Sequence, residues 1–160
     1  MRRPWKRRQL LAMARISQAE LDRLRSSVWP ALERDNALPA GILNAVATWE
    51  TRGTFENDAV SGAGAQGIFQ LTQIALRQIK KDTGMTINPR NIYEASKGAA
   101  FLLKRLGRLF AGHLALVLAA YNAGEGTIRR YMVSVRDTGS GFLPRETTDY
   151  IVNVSRLVRA

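Results

Sequence analysis

Glu50 is the residue of this chain whose type and position most clearly suggest chemistry. It ends a stretch, residues 38–50, in which Leu43, Val46 and Ala47 recur at the spacing of one helix face. Glu50 is the next member of that face. Burial disfavours the charged form of a carboxyl group and raises its pKa, and a proton held near neutral pH suits a general acid. The alternative is an exposed Glu50 that pairs with a neighbouring arginine or with water.

Two further segments carry patterns that can be compared with a known family. Residues 58–72 read DAVSGAGAQGIFQLT, and residues 119–126 read AAYNAGEG. With Glu50, they resemble the signature of the SLT-type lytic transglycosylase domain, a relative of goose-type lysozyme. In that family a helix ends in the catalytic Glu, a loop with Ser follows, then G-A-x-G-[LI]-[MF]-Q, and later A-Y-N-A-G. The motifs occur here in that order, and the resemblance covers residues 38–158.

The resemblance implies both a fold and an activity. The fold is expected to be all-α, or α with a minimal β element, as a lysozyme-like helical domain with a substrate cleft. Glu50 would protonate the oxygen that bridges N-acetylmuramic acid and N-acetylglucosamine in the glycan strands of peptidoglycan. It would then act as a base on the muramoyl C6 hydroxyl, which closes onto C1 and leaves a 1,6-anhydro end.

The glycine-rich segment contributes three candidate substrate-binding residues. The resemblance implies that Ser61 and Gln70 hydrogen-bond a sugar or its acetamido group, and that Phe69 is an apolar wall for a sugar. Turn capping and helix polarity are the alternative roles of Ser61 and Gln70. Residues 62–67 also match G-x-G-x-x-G, but a dinucleotide site needs a preceding strand and a parallel sheet, which the sequence does not indicate.

Four more candidates lie in the second half of the chain. The resemblance implies that Tyr121 positions Glu50 or the substrate through its hydroxyl group; a buried tyrosine with a satisfied hydroxyl is the alternative. Asn122 would organise the following loop through its amide. Glu146 and Tyr150, in PRETTDYI, resemble the closing E-T-x-x-Y segment of the family and are expected in the cleft. The alternative for Glu146 is an acid in a first helical turn, which the helix dipole favours.

Composition limits the chemistry that remains. The 160 residues are 46% hydrophobic and contain no cysteine and one histidine, His113. Size and composition indicate one globular domain. Without cysteine there is no thiolate site, and one histidine cannot form a His-based metal cluster, so neither a metal nor a cofactor is expected. His113 precedes an apolar run, and we interpret it as a helix-start or packing residue.

The net charge of +11 is unevenly placed, with +6 in residues 1–30, −3 in residues 35–75 and +6 in residues 76–110. Basic proteins are attracted to polyanions. Residues 1–8, MRRPWKRR, would suit contact with an anionic wall polymer or a membrane surface. We do not expect nucleic acid as a partner, and we expect a monomer that acts on peptidoglycan glycan strands.

The chain divides by composition into a basic arm, residues 1–16, and a single domain, residues 17–160. No secretory signal is indicated, because the apolar run that follows the first basic residues is broken by Arg15 and Gln18. Enzymes of this type act in the periplasm or cell wall. We therefore expect a phage protein, either a virion component or a lysis protein released through a holin.

Local signals predict where the helices begin and end. The S-x-x-E box at Ser17 starts a helix that kinks or ends at Pro30. Pro39 opens the helix that carries Glu50. Gly107 is expected to end a long apolar-faced helix, and the last helix is expected to begin near Pro144. Further helices are predicted over residues 67–82, 114–120 and 127–135.

Three function classes remain open. The first is a lytic transglycosylase, and the second is a goose-type lysozyme, in which water attacks and a second carboxylate assists. Glu56, Asp58 and Glu146 are the acids available for that hydrolytic role, the first two in a glycine-rich loop. The third class is a non-catalytic basic module that binds the wall or DNA. An intact Glu50 counts against it, because a binding module has no need of that acid.

Overall fold

The computed structural model describes residues 15–159, which fold into helices joined by loops. The α-helices are α1 Gln18–Arg23, α2 Trp29–Asp35, α3 Ile42–Glu50, α4 Gln73–Thr83, α5 Ile92–Leu109, α6 Leu114–Ala123, α7 Glu125–Thr138 and α8 Arg145–Arg159. Within residues 15–159, β pairing is limited to isolated bridges such as Val60 with Gln66. The expected helical fold with a minimal β element is confirmed. No helix of this range is long and apolar enough to cross a membrane.

The first helix begins at the predicted capping box. Ser17 Oγ accepts from the Glu20 backbone N–H at 3.2 Å, and Glu20 Oε2 accepts from the Ser17 N–H at 3.2 Å. The helical path does not end at Pro30. It passes through a π-helical turn, Leu24–Val28, and Pro30 then lies in the first turn of α2.

A buried carboxylate caps the helix that carries Glu50. Glu33 of α2 is 4% exposed, and its two oxygens accept from the backbone N–H groups of Gly41 and Leu43, each at 2.9 Å. A negative group at this end also complements the helix dipole. Gly41, with φ of +83°, has no capping side chain of its own, and α3 begins at Ile42, later than Pro39 predicted.

The loop between α3 and α4 contacts the backbone of Pro89 and Arg90. A Cβ atom at Gly67 would lie 1.9 Å from the carbonyl oxygen of Pro89, and the φ of Gly67 is +76°. The side-chain amide of Asn57 donates to the carbonyl of Arg90. The prediction of a helix from residue 67 is wrong, because Gly67 and Gln70 both have positive φ and Thr72 caps a helix that begins at Gln73.

The remaining helices follow the predicted order with longer bounds. Helix α5 extends two residues past Gly107, and α7 spans Glu125–Thr138, beyond the predicted residues 127–135. Helix α8 begins at Arg145, directly after Pro144, as predicted. It packs against both α3 and α6, and so it brings the end of the chain to the helix that carries Glu50. Most of the predicted basic arm lies outside the described residues.

Replacing Glu33 tests the cap of α3. Glu33→Gln keeps the side-chain size but offers one carbonyl acceptor, so one of two backbone N–H groups loses its partner. We expect a loss of about 1–3 kcal/mol in the free energy of unfolding, measured by urea denaturation. The matched control is Asp35→Asn, an exposed acid on the same helix. Equal losses in the two variants would contradict the capping role.

Candidate active site

Glu50 lies at the C-terminal end of α3 and is partly buried. Burial raises its pKa from 4.5 to about 7, and the nearby negative charge of Glu146 adds to the rise. The hydroxyl group of Tyr150 acts in the opposite direction by favouring the carboxylate. Because burial outweighs this contact, a large fraction of Glu50 carries a proton at neutral pH. The carboxyl group can therefore give and take a proton under physiological conditions.

Tyr150 faces Glu50 from helix α8. Its side chain is 1% exposed, and its hydroxyl oxygen is buried without a hydrogen-bond partner of good geometry among residues 15–159. Burial raises the pKa of Tyr150 well above its ordinary value, and the negative charge of Glu50 adds to this. Tyr150 is therefore a neutral phenol whose hydroxyl group lies beside the Glu50 carboxyl.

Tyr121 approaches Glu50 from helix α6. Its hydroxyl donates to the backbone carbonyl oxygen of Phe69 at 2.8 Å. Burial raises its pKa well above the ordinary value, and the charge of Glu50 contributes. The hydroxyl group is thus satisfied within the protein, which matches the second of the two alternatives, and the residue lies near Glu50. A positioning role for Tyr121 stays a prediction.

Phe69 and Asn122 make contacts inside the protein. Phe69 is 0% exposed, and its ring packs edge-to-face on Trp29 with the centroids 6.0 Å apart. The sequence predicted that Phe69 is an apolar wall for a sugar. Its side chain packs in the core instead and cannot contact a sugar in the cleft. Asn122 Oδ1 accepts from Thr147 Oγ at 2.9 Å, which joins α6 to the first turn of α8.

Ser61 and Gln70 stabilise the loop that follows Glu50. Ser61 is exposed, and its Oγ accepts from the backbone N–H of Ala65 at 3.1 Å. Gln70 Nε2 donates to the carbonyl oxygens of Gly67 at 2.9 Å and Ala59 at 3.2 Å. These contacts match the turn-capping alternative, and they leave Gln70 in a turn before α4.

The acids near the site differ in what they contact. Glu146 is exposed in the first turn of α8, and its charge acts on Glu50. Glu56 forms an ion pair with Arg15 at 3.6 Å, and Asp58 is exposed. Among residues 15–159, no group of three or more His, Asp or Glu side chains could hold a metal ion.

Trp49 is a site neighbour that the sequence analysis missed. It is 37% exposed, and its ring lies edge-to-face with Tyr150 at a centroid distance of 6.4 Å. A large aromatic group that stays partly exposed beside a titratable carboxyl offers an apolar surface to a ligand. Its position directly before Glu50 in the sequence was the signal that could have identified Trp49 as a site residue.

A family model described as the transglycosylase SLT domain matches residues 27–140 of the chain. The chain belongs to this family. Membrane-bound lytic murein transglycosylase D of Escherichia coli is 31% identical over 104 residues, which are 61% of this chain and 23% of that protein. The chain thus spans about a quarter of the length of this relative.

Solved structures agree with this assignment at the level of the fold. An inactive glutamate-to-glutamine mutant of lytic transglycosylase Slt from Pseudomonas aeruginosa has a TM-score of 0.69 and 24% identity, and covers 81% of this chain and 22% of its own. The 70 kDa soluble lytic transglycosylase of Escherichia coli has a TM-score of 0.65 and 18% identity, over 79% of this chain and 22% of its own. About four fifths of this chain therefore shares the helical fold of these two structures.

The raised pKa of Glu50 predicts a pH-dependent stability. Between its ordinary value of 4.5 and about 7, the folded protein binds more protons than the unfolded chain, so the free energy of unfolding falls as pH rises through this window. Glu50→Gln removes this dependence. At about pH 8 the free energy of unfolding of the variant, measured by urea denaturation, should exceed that of the wild type by up to about 3 kcal/mol. Near pH 4 the two free energies should be alike. A stability difference that does not change with pH would contradict the burial of this carboxyl.

Proposed function

We propose that this protein is a peptidoglycan lytic transglycosylase that cleaves the bond between N-acetylmuramic acid and N-acetylglucosamine and leaves 1,6-anhydro ends. The observation that carries the proposal is a glutamate with a pKa of about 7 at the end of α3, in a chain of the transglycosylase SLT family. The similar proteins described above are lytic transglycosylases, which supports the same reaction class.

In the proposed reaction Glu50 acts twice. The protonated carboxyl first donates to the bridging oxygen, the glycosidic bond breaks, and positive charge develops at C1 of the muramoyl sugar. The carboxylate that remains then removes the proton from the C6 hydroxyl, whose oxygen bonds to C1. Protons balance over the cycle, so Glu50 ends as it began. A pKa near 7 serves both steps, because neither protonation state is strongly disfavoured.

The surrounding residues would hold Glu50 and control its proton. The hydroxyl group of Tyr150 lies beside Glu50 and would stabilise the carboxylate formed after the first step. Glu146 acts in the opposite direction, because its charge favours the protonated acid. Tyr121 and Asn122 hold the Phe69 backbone and helix α8 in place. Ser61 and Gln70 shape the loop in which a sugar would lie, and Glu146 and Trp49 are the exposed groups that would contact it.

Hydrolysis by a goose-type lysozyme mechanism is the second candidate, and Glu146 is the observation that favours it. A water-attack mechanism uses a second carboxylate near the acid. Of the acids considered, Glu146 is the one whose charge acts on Glu50, whereas Glu56 is paired with Arg15. A phage origin, with delivery in a virion or through a holin, remains a prediction of the sequence.

The role of Glu50 is tested by one conservative substitution. Glu50→Gln keeps size and shape but cannot donate the proton, so clearing of purified cell walls should fall by a factor of about 10² or more. The helical far-UV spectrum should be unchanged. Glu20→Gln, an exposed acid of α1, is the control and should clear walls normally. Near-wild-type clearing by the Glu50 variant would exclude the proposed mechanism.

The reaction product separates the two candidate enzymes. Mass spectrometry of digested peptidoglycan should find muramoyl ends that are lighter by one water than reducing ends. Glu56→Gln and Asp58→Asn should each keep most of the activity, because neither acid is needed when the C6 hydroxyl attacks. Dominant reducing ends, lost in Glu146→Gln, would instead identify a hydrolase.

A further inference from the structure

Helix α7 carries a mixed basic and apolar face that its packing leaves uncovered. Ile128 is the one residue of this helix that is buried. Arg129, Met132, Val133 and Arg136 recur at the spacing i, i+3, i+4, i+7, which places them on one face. Met132 and Val133 are 43% and 47% exposed. This face and the end of α5 line a concavity of about 350 Å³, with Leu109 and Phe110 on the other side.

A second concavity, of about 440 Å³, lies on the other side of Leu109. Phe101 and Leu109 are its apolar lining, and Lys104, Arg105 and Arg108 are its cations. Arg105 pairs with Asp82 at 3.1 Å and with Glu125. Lys104 and Arg108 have no ion-pair partner among residues 15–159. We call the two concavities together the α5–α7 surface.

The chemistry of the α5–α7 surface restricts its partner. Its cations attract phosphate groups. Exposure of Met132 and Val133 to water is unfavourable, and a purely polar polyanion would not bury these two side chains. Basic groups beside exposed apolar side chains are the combination that binds the interface of an anionic bilayer. None of the residues that line this surface is a candidate site residue, so a partner bound here would leave the surroundings of Glu50 free.

We propose that the α5–α7 surface binds anionic phospholipid at a membrane surface. The headgroup phosphates contact Lys104 and Arg108, and the apolar lining around Met132 and Val133 receives the first carbons of the acyl chains. The Arg129 and Arg136 side chains border the same apolar lining. Arg129 pairs with Glu125 at 3.9 Å and Arg136 with Asp137 at 2.7 Å, so the headgroup contacts are assigned to Lys104 and Arg108. This binding would hold the protein at the membrane independently of residues 1–8 and independently of its catalytic activity.

Vesicle co-sedimentation of the full chain tests the proposal. The protein should bind vesicles that contain phosphatidylglycerol and phosphatidylcholine, and should bind pure phosphatidylcholine vesicles far more weakly. Lys104→Glu combined with Arg108→Glu should weaken binding to the anionic vesicles by about tenfold or more, because each reversal replaces attraction to the anionic surface by repulsion. Arg34→Glu combined with Arg156→Glu makes the same change in net charge at exposed sites outside the surface and should have a much smaller effect.

A second variant separates a lipid from a soluble anion. Met132→Ser combined with Val133→Ser leaves the charge unchanged, and both residues are exposed enough that the fold should persist by far-UV circular dichroism. Binding to anionic vesicles should fall severalfold, and most clearly in high salt, where electrostatic attraction is screened. Millimolar inorganic phosphate should not displace the vesicles.

Three results would overturn the proposal. One is equal binding to neutral and anionic vesicles. Another is an equal loss in the Lys104/Arg108 variant and the Arg34/Arg156 control, which would mean that net charge alone controls adsorption. The third is full binding by the Met132/Val133 variant together with displacement by inorganic phosphate or by duplex DNA, which would indicate a site for phosphate or nucleic acid instead.

Discussion

The removal of one carboxyl group from water is the constraint on which the rest of the site depends. Glu50 has a pKa of about 7 because it is buried at the end of α3, where α8 packs on α3, and the carboxylate is poorly solvated. A buried carboxylate is costly unless its surroundings supply compensation. Here the compensation is incomplete, since Tyr150 favours the charged form and Glu146 opposes it. The incomplete compensation is what makes the proton transferable.

Hydrogen bonds between distant segments keep this environment in place. The hydroxyl of Tyr121 holds the Phe69 backbone, and the amide oxygen of Asn122 holds Thr147 at the start of α8. Adjacent residues of one helix thus anchor the loop after Glu50 and the last helix of the described chain. At the other end of α3, the carboxylate of Glu33 fixes the start of the helix. The position of Glu50 is therefore determined from both ends of α3.

Charge is distributed so that two regions of the surface have different character. The charged residue that raises the pKa of Glu50 is the acid Glu146, whereas basic and apolar residues line the second half of α5 and the exposed face of α7. A basic side chain next to Glu50 would stabilise the carboxylate and lower its pKa. The separation of the two regions is thus compatible with a site that retains its proton.

The sequence by itself determined the features that depend on neighbours along the chain. Ser17 and Glu20 form a cap within one turn, Pro144 precedes the start of α8, and Glu50 follows an apolar helical face whose period is local. The order of the motifs was sufficient to predict the family, because a comparison of motifs needs no coordinates.

Tertiary structure decided the features that depend on contacts between distant segments of the chain. Gly67 lies against the Pro89 backbone in a turn, so that α4 begins later than the sequence predicted, and the side chain of Phe69 packs in the core. The pKa of Glu50 likewise depends on burial, on Tyr150 and on Glu146. Tyr150 and Glu146 lie about a hundred residues further along the chain and come close to Glu50 because α8 packs on α3.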